Sequence, residues 1–112
     1  MDKKFIKNVE FSAALELVNL VEYKAGQIVS RTFVQNEGMS MTLFAFAAGE
    51  GVSTHSAPGD AMVYILDGEA EITIADKKTT AQKGQVVVMP ANIPHGVDAA
   101  QDFKMLLIVV KQ

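Results

Sequence analysis

Ala61-Met62-Val63-Tyr64-Ile65-Leu66-Asp67-Gly68-Glu69-Ala70-Glu71-Ile72-Thr73-Ile74-Ala75 decides the fold class of this chain. Its second half alternates: Ala70, Ile72 and Ile74 fall on one face, and Glu69, Glu71 and Thr73 on the other. A period of two is the mark of a strand with one face on a core and one in water. Asp67-Gly68 stands between two strand-like runs. An Asp-Gly pair in that position predicts a hairpin through a type I′ turn, which needs positive φ at both central residues. Glu69 and Glu71 resemble a paired acid/base motif, but their parity puts them on the solvent face.

Outward from this stretch the pattern repeats. Residues 28–34 and 40–48 read as strands, separated by the turn signal Gln35-Asn36-Glu37-Gly38. Ala75-Asp76-Lys77-Lys78 predicts the next turn, and short strands follow over 79–82 and 85–89. Pro90 to Pro94 reads as a stiffened loop. Phe103–Val110 is the last strand. About eight short strands at even spacing indicate a sandwich or barrel. Val86-Val87-Val88 and Leu106–Val110 are apolar on both faces, which predicts cover by the N-terminal helix or by a second subunit. One helix is predicted, over residues 12–23, with Ser12 as its cap and Leu15, Val18 and Leu20 or Val21 as its apolar face.

The bulk properties narrow the function classes. The chain has 112 residues, 49% hydrophobic and 21% charged, enough for one domain with one core. A net charge of −3 and the lack of a basic patch speak against nucleic acid or an anionic membrane as partner. No apolar run exceeds that of Met105 to Val110, which is too short to span a bilayer. There is no cysteine, which removes disulfides and thiolate chemistry and makes the cytoplasm the expected compartment. The six methionines read as adaptable core filling.

Two spaced motifs then carry a resemblance. Gly49, five residues, His55-Ser56-Ala57, three residues, Ala61, six residues, Gly68 is similar to the first motif of the cupin family. Gly84, five residues, Pro90-Ala91-Asn92, two residues, His95, three residues, Ala99 is similar to the second. The resemblance covers about residues 40–110. It implies an all-β double-stranded β-helix, the cupin jelly-roll barrel, over about 27–110 of a single domain 1–112, with the short helix preceding it. It also implies homodimers paired through an exposed sheet, with residues 1–34 contributing.

The resemblance further implies a metal held by three histidines and a carboxylate. Here His55 and His95 match two of those positions, while Ala57 and Ala61 stand at the other two and can donate nothing. His55 and His95 are the only histidines in the chain. One reading is a weakly held divalent transition metal (Zn, Ni, Fe or Cu) on the two imidazoles, in an isomerase, lyase or dioxygenase acting on a small organic molecule. Asp60 is the nearest third donor, but its parity, like that of Met62 and Tyr64, aims it at the opposite face. The other reading is a metal-free small-molecule binder whose pocket holds Ala57 and Ala61 and is walled by Val63, Ile65, Ile72, Val86 and Val88, with the imidazoles fixing orientation or moving a proton. A third is an inert histidine pair in a structural protein. Enzyme or binder is left open by the residues.

Overall fold

The computed structural model describes residues 4–112. Nine strands are present among them: β1 (Ile28–Gln35), β2 (Met39–Phe46), β3 (Gly51–His55), β4 (Asp60–Asp67), β5 (Glu69–Ile74), β6 (Lys77–Gln82), β7 (Val86–Met89), β8 (His95–Asp98) and β9 (Phe103–Val110). They form two sheets, β1-β2-β9-β4-β7 and β3-β8-β5-β6. Every ladder is antiparallel. This is the expected all-β jelly roll, two sheets closing on a shared interior.

The interior follows from parity. Ala61, Val63 and Ile65 of β4, Ala70 and Ile72 of β5, Ala81 of β6, Val97 of β8, and Phe103 and Met105 of β9 all bury against one another. Phe46 and Phe103 are register partners, fully buried, and stack with ring centroids 4.6 Å apart. The alternation of β5 holds as read. Ala70 and Ile72 are fully buried, while Glu71 turns to solvent and pairs with Lys78 at 3.3 Å.

The Asp67-Gly68 hairpin does not form. β4 lies in the first sheet, between β9 and β7, and β5 lies in the second, between β8 and β6. The dipeptide is a corner where the chain changes sheet. Only Gly68 takes positive φ, at 68°. A Cβ there would collide with the backbone oxygen of Asp102, so the corner requires glycine for space as well as for conformation. The tight hairpin is the next one: β5 and β6 pair from Glu69↔Gln82 to Ile74↔Lys77, leaving only Ala75 and Asp76 in the turn. Lys77 and Lys78, expected in that turn, belong to β6.

The predicted helix over 12–23 reduces to one 3-10 turn, Leu17–Asn19. Ser12 cannot cap a helix here, because its φ is 62°. The carbonyls that a helix would need are taken by tertiary donors instead. Lys104 Nζ donates to the Val18 carbonyl at 2.7 Å, and Arg31 Nη1 to the Leu20 carbonyl at 2.9 Å. The segment lies as an irregular strap over the outer face of the first sheet. Val21 packs there with Phe33, Leu43 and Ala45, supported by Leu17, Leu20, Leu66 and Leu106. Tyr23 closes the strap by donating its hydroxyl to Asp67 at 2.5 Å, with Lys104 Nζ 4.9 Å from its ring centre. Burial first, then the Asp67 carboxylate, raises its ionisation above the ordinary 10.0.

The strap covers only part of the doubly apolar surface. Met62, Tyr64, Val86 and Val88 remain exposed. They form adjoining pairs across two strands, Met62↔Val88 and Tyr64↔Val86.

Candidate functional site

β3 and β8 pair antiparallel, and His55 and His95 are register partners at the end of that ladder. Directly opposed residues put their side chains side by side on one face. The rings meet edge to face, centroids 4.5 Å apart and planes at 64°. His95 is buried, 5% exposed, whereas His55 is open to solvent.

Each ring is oriented by its own backbone. Nδ1 of His55 lies 3.0 Å from the Ser53 carbonyl, and Nδ1 of His95 lies 3.1 Å from the Ile93 carbonyl. A carbonyl oxygen can only accept, so Nδ1 must carry the proton in both rings. In the neutral imidazole, Nε2 is then the nitrogen with the free lone pair. Among the described residues no fully buried side-chain nitrogen or oxygen lacks a partner. The Nε2 of His95, which has no hydrogen-bond partner among the described residues, is therefore open to the cavity beside it.

That cavity has a volume of about 260 Å³. His55, His95, Ala57 and Ala61 all line it. Both sheets contribute the remaining wall: Val52 and Val97 from one side, and Phe44, Phe46, Met89, Met105, Leu107 and Val109 from the other, with Gly59 completing it. Apart from the two imidazoles and two thioethers, every lining side chain is hydrocarbon. The volume falls just below the roughly 300–1,000 Å³ typical of drug-sized ligands, so it suits a compact molecule.

Of the pocket residues read from sequence, Ala57 and Ala61 line the cavity. Val63, Ile65 and Ile72 point inward but are packed solid in the core beyond the cavity, each with no exposure. Val86 and Val88 are corrected outright. They lie on the outer face, 54% and 49% exposed, because Ala61↔Met89 and Val63↔Val87 are the inward rungs of the β4–β7 ladder. Three consecutive valines carry no alternation, and only the register reveals which one faces in. The cavity residues missed from sequence sit on β2, β3, β7, β8 and β9, with Gly59 just before β4. Met105, Leu107 and Val109 were findable by the period of two from Phe103, because Lys104 marks the opposite face, whereas Phe44 and Met89 stand in runs apolar on both faces and left no such signal.

The donors present do not fit the family metal set. Ala57 and Ala61 bring hydrocarbon to two of its four positions. Asp60 does not substitute, because it does not line the cavity; its carboxylate accepts the Ala91 N–H at 2.7 Å, in the loop after β7. Among the described residues there is no cluster of three or more His, Cys, Asp or Glu placed to hold a metal. In the same loop Asn92 adopts φ of 65°. Asparagine enters that region more readily than other side chains.

The cupin domain family matches residues 42–111. A conserved protein of unknown function from Streptococcus pyogenes is 44% identical, with a TM-score of 0.96 over 98% of this chain and 96% of that one. A cupin superfamily protein from Desulfitobacterium hafniense is 34% identical, with a TM-score of 0.91 over 96% of this chain and 98% of that one. An uncharacterized protein of Streptomyces coelicolor is 29% identical over 77 residues, 68% of this chain and 73% of its own. No helix among the described residues is long and apolar enough to cross a membrane.

Proposed function

The chain belongs to the cupin domain family, and on that premise we propose that it is a ligand-binding cupin whose cavity receives a compact, largely apolar organic molecule. Cupins commonly bind a metal or a small ligand in this interior. The reading rests on one observation: two imidazoles, locked by backbone carbonyls with their Nε2 lone pairs free, stand in an otherwise hydrocarbon cavity. Such a site accepts hydrogen bonds and offers no side-chain donor while the rings are neutral. It suits a ligand whose one polar end carries an O–H or N–H and whose body is hydrocarbon. A phenol or a hydroxylated alicycle has that shape.

The affinity expected is modest. A ligand of about ten heavy atoms at ~0.5 kcal/mol per atom gives ~5 kcal/mol, a Kd of order 0.1–1 mM for a first fragment. Either imidazole could also serve as a base toward the hydroxyl it holds. A resident divalent metal is disfavoured by the alanines at positions 57 and 61.

The test is a fragment screen by NMR on protein labelled with 15N in histidine. Phenols and small alcohols with apolar bodies should shift the Nε2 resonances of both rings, and His95→Ala should abolish the response while the backbone spectrum persists. Fragments that bind without moving either histidine would overturn the reading.

A further inference from the structure

We propose that the cavity selects a vicinal diol: a compact hydrocarbon ring with hydroxyls on neighbouring carbons, one donating to Nε2 of His55 and the other to Nε2 of His95. The inference rests on the organic-ligand reading above and adds to it the number and spacing of the polar groups the ligand carries.

The number follows from the rings. Each Nδ1 spends its proton on a backbone carbonyl, that of Ser53 for one ring and that of Ile93 for the other. Each neutral ring is left with one acceptor, its Nε2, and the pair presents two. A single hydroxyl has one hydrogen and serves one of them. The rest of the lining is hydrocarbon and thioether, so no neighbouring side chain supplies the second donor. A ligand that fills the cavity displaces water from these nitrogens. An acceptor stripped of water and given no new donor is costly, most of all at the buried His95.

The spacing follows from the ladder. The two rings are register partners on neighbouring strands, with centroids 4.5 Å apart. Their Nε2 atoms can be separated by no more than that distance plus one ring width. With a hydrogen bond of about 2.8 Å at each end, donors on adjacent atoms reach both nitrogens. Hydroxyls on opposite sides of a ring point apart and serve only one.

The chemistry of the wall excludes the other groups with two donors. An ammonium or amidinium would carry a positive charge into a cavity whose lining has no carboxylate to balance it. A urea or primary amide would bury a carbonyl that faces no side-chain donor. A carboxylic acid has one hydrogen, and none once ionised. Neutral hydroxyls bring two donors without a charge, and the ring that carries them meets Phe44, Phe46, Val97 and Leu107. A volume of about 260 Å³ suits a body of a single ring.

The experiment titrates cis-1,2-cyclohexanediol, trans-1,4-cyclohexanediol and cyclohexanol into the full chain labelled with 15N in histidine, at pH 8, where imidazole is neutral. The two diols share one formula and differ in where the second hydroxyl stands. The 1,2-diol should bind about threefold or more tighter than cyclohexanol, as one added hydrogen bond predicts, and about tenfold tighter than the 1,4-diol, whose second hydroxyl stays unpaired. His55→Ala, at an exposed position, should bring the ratio of 1,2-diol to cyclohexanol affinity down to about one. The proposal is overturned if cyclohexanol or the 1,4-diol binds as tightly as the 1,2-diol, or if His55→Ala keeps the preference. Either result with the histidine shifts intact removes the diol and leaves the organic-ligand reading standing. No histidine response to any of these alcohols or to phenols removes both.

Discussion

Restoring the two absent ligands is the sharpest test of the site geometry. Ala57 and Ala61 both line the cavity that holds the histidine pair, and Ala61 is 5% exposed. The double substitution Ala57→His/Ala61→Glu should therefore create a three-histidine, one-carboxylate site for a divalent ion. Without metal the variant places a carboxyl among hydrocarbon, which should cost about 1–3 kcal/mol even after partial pairing with the imidazoles. Metal reverses this. With a Kd of order 1 μM, 1 mM Zn²⁺ adds RT ln(1 + 1,000), about 4 kcal/mol. For a chain of this length each kcal/mol moves Tm by about 4 °C, so the melt should fall by roughly 4–12 °C without metal and rise by ~16 °C on adding zinc. Circular-dichroism melts with and without Zn²⁺ measure both steps. Val86→His/Val88→Glu is the control, since both residues are exposed on the outer face and should give no zinc response. An unchanged spectrum with no zinc-dependent shift in the cavity variant would show that positions 57 and 61 do not converge on His55 and His95.

Three other outcomes are expected. Gly68→Ala should destabilise the chain by about 3 kcal/mol or more in urea unfolding, because φ of 68° and the Asp102 carbonyl both exclude a Cβ; a loss below about 1 kcal/mol would mean that the β4–β5 corner relaxes freely. Tyr23→Phe should cost about 1.5 kcal/mol at pH 7, the low end for a hydrogen bond to a charged group because the site is half-exposed. Since the folded tyrosine ionises above its ordinary 10.0, this difference should be full below pH 10 and shrink above it, and a difference that grew with alkali would refute the Asp67 contact. Finally, the patch of Met62, Tyr64, Val86 and Val88 is proposed to pair with its counterpart in a homodimer; sedimentation velocity should show a dimer that Val88→Asp dissociates, and a monomeric wild type at micromolar concentration would end that proposal.

What the sequence made legible was the part written as alternation or as fixed spacing. β5 could be read residue by residue, and the two motifs located both histidines. Yet β3 and β8, which carry those histidines, were not recognisable as strands. Every residue of β3 is exposed, and β8 is four residues of which one is glycine, so neither shows the buried periodicity that marks a strand. The Asp67-Gly68 error has a different cause. A hairpin and a corner between sheets both need a residue with positive φ, and local sequence cannot say which sheet the second strand will join. The lost helix was a tertiary effect: Lys104 and Arg31, remote in sequence, take the Val18 and Leu20 carbonyls.

The histidine pair does not depend on a metal for its geometry. In each ring the orienting bond is local, from Nδ1 to the carbonyl two residues earlier. The β3–β8 ladder then sets the rings side by side. Neither constraint passes through position 57 or 61. Alanines at those positions therefore remove ligands without releasing the imidazoles, and the tautomer that presents Nε2 is kept. A barrel built this way can exchange a four-ligand metal site for a two-nitrogen receptor with its backbone unchanged. The identity of the occupant then passes to the rest of the wall, to Met89 on the rung beside Ala61 and to the hydrocarbon surface around it. Volume-conserving substitution there should alter what binds at a cost below about 1.5 kcal/mol, whereas truncating Val63, Ile65 or Ile72, which are fully buried in the core, should cost more.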